Sequence, residues 1–100
     1  MKFKNKIQAI NGWIEPTDER FLLAEFKDLF ESACGRICGI NVIRDEPYGI
    51  RAMIYSGSAE LSIHSFPEEG KSHICFVAGK SIQARAFIEL AKERNLMPQA

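Results

Sequence analysis

Ser58-Ala59-Glu60-Leu61-Ser62-Ile63-His64-Ser65-Phe66-Pro67-Glu68-Glu69-Gly70 is the stretch on which the fold turns. Leu61 and Ile63 alternate with Glu60, Ser62 and His64, the period of two that marks a strand with one buried and one wetter face. Pro67 ends the strand because it has no N–H to give to a ladder. Glu69-Gly70 then reads as the turn into another strand.

Working outward, three more strands are expected after the first helix, at 36–44, 49–56 and 72–78, with 59–66 between the last two. Asp45-Glu46-Pro47-Tyr48-Gly49 and Ser56-Gly57-Ser58 form turns. On the N-terminal side, residues 6–14 read as a further strand, broken by Glu15-Pro16-Thr17. Thr17 is the expected N-cap of a helix with Asp18 and Glu19 in its first turn, where carboxylates suit the positive end of the dipole. Leu22, Phe26, Leu29, Phe30 and Ala33 then form one apolar stripe, and Gly35 closes the helix. On the C-terminal side, Ser81 is the expected cap of a helix running to about Asn95, with Ala84, Phe87, Leu90 and Ala91 inward. The order is β-α-β-β-β-β-α: an α+β two-layer sandwich, an antiparallel sheet with two helices on one face.

Residues 1–100 make a single domain, able to bury roughly 60–70% of its unfolded surface. Thirteen basic and thirteen acidic residues cancel, without the clustered cationic face that nucleic acid or an anionic membrane surface demands. No apolar run approaches the ~20 residues of a spanning helix, and the basic start Met1-Lys2-Phe3-Lys4-Asn5-Lys6 leads into no signal-peptide core. Three cysteines, Cys34, Cys38 and Cys75, make no disulfide framework, which fits a reducing cytoplasm. Strand 50–55 is apolar on both parities, Ile50, Ala52 and Ile54 against Met53 and Tyr55. Strand 74–78 repeats this, with Ile74, Phe76 and Ala78 against Cys75 and Val77. Two helices cover one face, so the other is expected to be covered by a second copy, sheet against sheet in a homodimer.

Ser62-Ile63-His64-Ser65-Phe66-Pro67-Glu68-Glu69-Gly70 resembles the Ser-Ile-His-Thr-Trp-Pro-Glu-Tyr-Gly segment of the small bacterial S-adenosylmethionine decarboxylases. Gly49-Ile50-Arg51-Ala52-Met53-Ile54-Tyr55 matches the preceding strand in pattern, and the resemblance spans nearly the whole chain. It implies a protein that cleaves itself at a Glu-Ser bond, turning the serine into a pyruvoyl group that serves as the electron sink for decarboxylation. The implied serine position, however, is Ala59. The glutamate before it is Ser58, the histidine after it is Glu60, the processing serine is Arg51 and the catalytic cysteine is Gly79. Cys75 falls four residues short, about 13 Å along a strand. Slippage of cleavage to Ser58 would turn the side chain to the other face, and Ser56 lies ~7 Å upstream.

An alanine methyl offers no oxygen to attack a carbonyl or to become a ketone. A positioned acid or base supplies ~10²–10⁴-fold, far short of the ~8–23 kcal/mol by which enzymes lower barriers. The expectation is therefore no catalytic residues, no pyruvoyl cofactor and no self-processing. The expected role is binding or regulation linked to polyamine and S-adenosylmethionine metabolism, including association with an active paralogue. The alternatives are a sensor holding an adenosyl or amine ligand by His64, Phe66, Glu68 and Glu60, or an enzyme with altered chemistry.

His64 reads equally as a ligand contact or as a hydrogen-bonded strand residue. Glu60 and Arg51 are expected to pair across neighbouring strands, and His73 to sit at a sheet edge. Cys34-Gly35-Arg36-Ile37-Cys38 lacks the second ligand pair of a zinc site, so no metal is expected. Ser56-Gly57-Ser58 leads into a strand rather than a helix, unlike a phosphate-cradling loop.

Overall fold

A computed structural model describes residues 8–100. The elements are β1 (Gln8–Ile14), α1 (Glu19–Cys34), β2 (Gly39–Arg44), β3 (Ile50–Tyr55), β4 (Ala59–Phe66), a 3₁₀ turn (Pro67–Glu69), β5 (Lys71–Ala78) and α2 (Ser81–Glu93). Lys6, Ile7 and the basic N-terminal start lie outside the described residues. Every neighbouring pair is antiparallel, in the order β1-β5-β4-β3-β2. The expected α+β sandwich and element order are what the chain adopts.

β4 is the central strand and has the expected bounds. Ala59, Leu61, Ile63 and Ser65 point into the helix layer and are buried, while Glu60, Ser62, His64 and Phe66 face outward. From the helices, Leu22, Phe26, Leu29 and Phe30 of α1 and Ala84, Phe87 and Ala91 of α2 close over that inner face. Phe76 stacks on Phe87, with ring centroids 4.1 Å apart and planes 7° from parallel, and meets Phe30 edge-on at 6.2 Å. Fully burying such a side chain contributes roughly 2–3 kcal/mol, so these three rings tie both helices to β5.

Two buried serines fix the strand ends. Ser65 Oγ accepts the Ile50 N–H at 2.9 Å, and the Ser72 hydroxyl donates to the Pro16 carbonyl at 2.7 Å. The chain after α2 returns across the outer edge of β1, where the Trp13 and Gln99 backbones exchange two hydrogen bonds of 2.6 and 2.9 Å. Gly12 permits this approach, since a Cβ there would come 2.5 Å from the Gln99 carbonyl oxygen.

Several local expectations are corrected. Asp18, not Thr17, caps α1: its carboxylate accepts the Phe21 N–H at 2.9 Å, the three-residue reach of an N-cap. Ser81 is already inside α2, and Lys80 at the cap position makes no side-chain cap bond. The same helix stops at Glu93 rather than Asn95. Asn95 turns left-handed at φ 58° and lets the Leu96 N–H reach the Ala91 carbonyl at 2.8 Å. β2 starts at Gly39 rather than at 36, because residues 36–38 carry the chain from the helix layer to the sheet. His73 is not at an edge: β5 lies between β1 and β4, so His73 has Trp13 on one side and His64 on the other.

Candidate functional site

Antiparallel register sorts the outward side chains into three rows running across the five strands, with Phe66 and Lys71 paired beyond the first. The first is Trp13, His73, His64, Arg51 and Ile43. The middle row is Asn11, Cys75, Ser62, Met53 and Asn41. The third is Ala9, Val77, Glu60, Tyr55 and Gly39. Among the described residues no helix covers this face, which leaves Ile43 54% exposed, Met53 39% and Tyr55 37%.

The first row gathers the polar chemistry. Arg51 lies opposite His64, and its guanidinium binds Asp45 at 3.0 and 3.1 Å, while His64 Nε2 stands 3.7 Å from the other carboxylate oxygen. Phe66 packs on the His64 ring with centroids 4.1 Å apart. Trp13 then continues the group, 5.8 Å from Phe66 and 4.9 Å from His73, with Lys71 Nζ 4.3 Å over its ring. A recess of about 390 Å³ lies beside this group, lined in part by Ile43, Arg51, Met53, Ser62 and His64. The expected Glu60–Arg51 pair does not form. The short turn at 56–58 sets Tyr55 against Glu60, which puts Arg51 four residues further along, against His64.

Of the positions implied for processing and catalysis, Arg51 lies in the first row beside His64, whereas Ala59 and Gly79 lie at the opposite end of β4. Ala59 and Gly79 are close neighbours: Ala59 is in register with Ala78, and the Gly79 N–H donates to the Ser58 carbonyl at 2.9 Å. Both line a recess of about 520 Å³ with Ser56, Ser58, Glu60 and Tyr55. Gln83 of α2 holds this turn, its Nε2 donating to Ser58 Oγ at 2.8 Å. The Ala59 methyl is buried on the helix side. A pyruvoyl group needs a hydroxyl at this position, so the residues present do not fit it.

Five residues separate Ala59 from His64, about 17 Å of strand, and the two side chains point to opposite faces. In a single chain, His64 and Phe66 therefore do not join Ala59 and Gly79 in one pocket. Glu60 faces the same side as His64 but sits two rows away, and Glu68 is exposed in the 3₁₀ turn. Asp45, Trp13 and His73 belong to the site although the sequence reading gave none of them a role. Asp45 sits in a turn, and Trp13 joins only because β1 pairs with β5.

Chemically, the Asp45–His64 contact can orient an imidazole, and the Trp13–Phe66–His64 shelf can receive a flat or apolar group. Neither supplies a nucleophile or an electron sink. Among the described residues no three His, Cys, Asp or Glu side chains gather as metal ligands. Cys34 is half-buried at the end of α1, and burial pushes its thiol up to about 11, the reverse of an activated cysteine.

The architecture is the S-adenosylmethionine decarboxylase-like α+β sandwich. Over 97% of its length the chain is similar in structure to the adenosylmethionine decarboxylase of Aquifex aeolicus VF5, covering 85% of that chain with a TM-score of 0.72 at 16% sequence identity. No family model matches the sequence, and no curated protein matches it. Among the described residues no helix is long and apolar enough to cross a membrane.

Proposed function

We propose that this chain is a non-catalytic protein of decarboxylase-like fold, with a binding or regulatory role in polyamine or S-adenosylmethionine metabolism. The observation that carries the reading is the methyl group of Ala59 beside the bare backbone of Gly79, where the resemblance implies a serine hydroxyl and a cysteine thiol. Without that hydroxyl no keto group forms, and without the thiol no side-chain proton donor stands at position 79. The protein stays a single chain and acts through contacts in the cytoplasm. The uncovered outer face supports a homodimer stacked sheet on sheet, and the same face would accept an active paralogue built on the same fold.

Mixing the purified protein with a catalytically active decarboxylase from the same host tests the regulatory arm. A stable mixed complex with a changed decarboxylation rate supports it. Separate elution with an unchanged rate removes it.

The second reading is a sensor. The shelf of Trp13, Phe66 and His64 beside Lys71 favours it, because neighbouring tilted rings near a cation can hold a flat ligand. Calorimetry with S-adenosylmethionine and its decarboxylated product measures it directly. Absence of heat and of any melting shift at millimolar ligand ends this reading.

A further inference from the structure

The two edges of the sheet differ. The returning chain closes the outer edge of β1 through the Trp13–Gln99 exchange. Among the described residues nothing pairs with the outer edge of β2. Natural sheets guard such an edge with proline, lysine, a bulge or a covering segment. β2 reads Gly39-Ile40-Asn41-Val42-Ile43-Arg44, without proline or lysine, and its register with β3 is unbroken. The hydrogen-bond phase identifies the free groups. The Asp45 N–H donates to the Gly49 carbonyl at 3.0 Å, a pair that continues the register of Arg44 with Ile50. Bonded pairs recur at every second residue of an antiparallel ladder, so Asn41 and Ile43 turn their backbone groups towards β3. On the other side of β3, the Ser56 N–H donates to the Ala59 carbonyl at 2.9 Å. That directs the even-numbered residues of β3 to β4 and leaves the odd-numbered ones for β2, in agreement. Ile40, Val42 and Arg44 therefore hold their N–H and C=O groups outward, unpaired.

The side chains of these three residues lie on the helix side, in register with buried Ile54, Ala52 and Ile50. There the Arg44 guanidinium pairs with Glu19 at the start of α1. Leu23 and Lys27 follow Glu19 at spacings of four and so share its flank of the helix. Eight residues of helix and four of strand each span about 12–13 Å, which brings Lys27 level with Ile40. Ile40 is 36% exposed and Leu23 half-buried. Between α1 and the free edge there is thus a notch with an apolar floor of Leu23, Ile40 and Val42. Its Ile40 end carries two cations, Lys27 and Arg36, that have no ion partner among the described residues. At the other end Arg44 is already neutralised by Glu19, and the Glu46 carboxylate lies beyond it.

We propose that the β2 edge docks an extended segment of a partner protein as a sixth strand, with apolar side chains over Leu23 and Val42 and a carboxylate beside Lys27 and Arg36. In strand addition the main-chain bonds supply affinity and the alternate side chains supply specificity. Here Ile40, Val42 and Arg44 offer the main-chain bonds. The acidic character of the partner follows from the two unpaired cations at the Ile40 end. This edge lies apart from the outer face and from the shelf of Trp13, Phe66 and His64, so docking depends on neither reading given above.

Amide hydrogen exchange followed by NMR on the full chain tests this, with the blocked peptide Glu-Thr-Val-Thr-Val-Thr-Glu as probe. Its two ends are alike, so it serves either strand direction. In the protein alone the Ile40, Val42 and Arg44 amides are expected to exchange freely. With peptide they are expected to slow by about tenfold or more, while Asn41 and Ile43 change little. Replacing both glutamates of the peptide by lysine is expected to weaken binding by about tenfold. Methylating one alternate set of peptide nitrogens is expected to abolish binding, and methylating the other set to leave it. Val42→Pro removes an outward N–H and no ladder bond, so the variant is expected to fold as before and to lose the peptide. Should it not fold, the methylated peptides decide alone. The proposal is overturned by unprotected amides at millimolar peptide, by equal binding of the lysine peptide or of both methylated peptides, or by binding to folded Val42→Pro. Protection of the same three amides in the protein alone, growing with its concentration, would mean that a second copy fills the edge, and overturns it as well.

Discussion

Arg51 and His64 stand directly opposite each other on β3 and β4, and both reach the same carboxylate, Asp45, in the turn before β3. The resemblance puts a self-processing serine at one of these positions and a motif histidine at the other. In this chain Arg51 is ion-paired to Asp45 on a half-exposed face, with the His64 imidazole beside the same carboxylate.

Because these groups are half-exposed, the Arg51–Asp45 pair is worth little to stability. Exposed ion pairs contribute roughly 0.2–1 kcal/mol. Arg51→Ala and Asp45→Ala should each lower the unfolding free energy by about that much, and the double variant by less than the sum. A coupling near zero in a denaturant-based double-mutant cycle would show that the Arg51–Asp45 contact does not hold the turn.

The core behaves differently. Phe76 and Phe87 stack with neither ring exposed, so Phe87→Ala should cost about 3–5 kcal/mol and Phe87→Leu markedly less. Urea midpoints at unchanged slope report this order. A Phe87→Ala cost under about 1 kcal/mol would mean that α2 is not packed on β5 in this way.

Gly12 carries a sharper test of the C-terminal crossing. Gly12→Ala should destabilise by about 1–3 kcal/mol, because the new Cβ meets the Gln99 carbonyl. In a chain shortened to end at Pro98 the same substitution should cost less, leaving only the strain of a side chain at φ 157°. Equal costs in both backgrounds would place the clash elsewhere.

Cys34 makes a statement about pH. Its folded-state thiol titrates near 11, against an ordinary value of 9.0. The folded state thus holds that proton more tightly, and the associated stability is fully present below pH 9 and is lost as pH rises towards 11. At pH 8, Ellman's reagent should modify exposed Cys38 quickly and Cys34 slowly. Replacing Cys34 by Ala should flatten the alkaline fall in melting temperature. Fast Cys34 labelling in the folded protein would contradict its burial.

Local chemistry made much of this architecture readable. Pro67 and the alternation of Leu61 and Ile63 gave β4 its true bounds, and the Leu22–Phe30 stripe marked the buried face of α1. What escaped depended on pairing between distant strands. His73 was expected at an edge because nothing near it in sequence says that β1 returns to lie beside β5. Trp13 entered the site by the same route. The Arg51–Glu60 expectation failed for a more local reason: a hairpin turning at 56–58 already fixes Tyr55 against Glu60, and counting back from there gives Arg51 against His64. Asp45 sat among turn residues, where a carboxylate usually serves the backbone, and only the register of β3 with β4 brings it to the imidazole.

Intact-mass spectrometry of the freshly purified protein, with and without borohydride treatment, bears most directly on the proposed absence of self-processing. The account predicts one species at 11.3 kDa, unchanged by the reductant. Two fragments summing to about that mass, the smaller C-terminal one gaining hydrogen on reduction of a keto group at its new N-terminus, would contradict it.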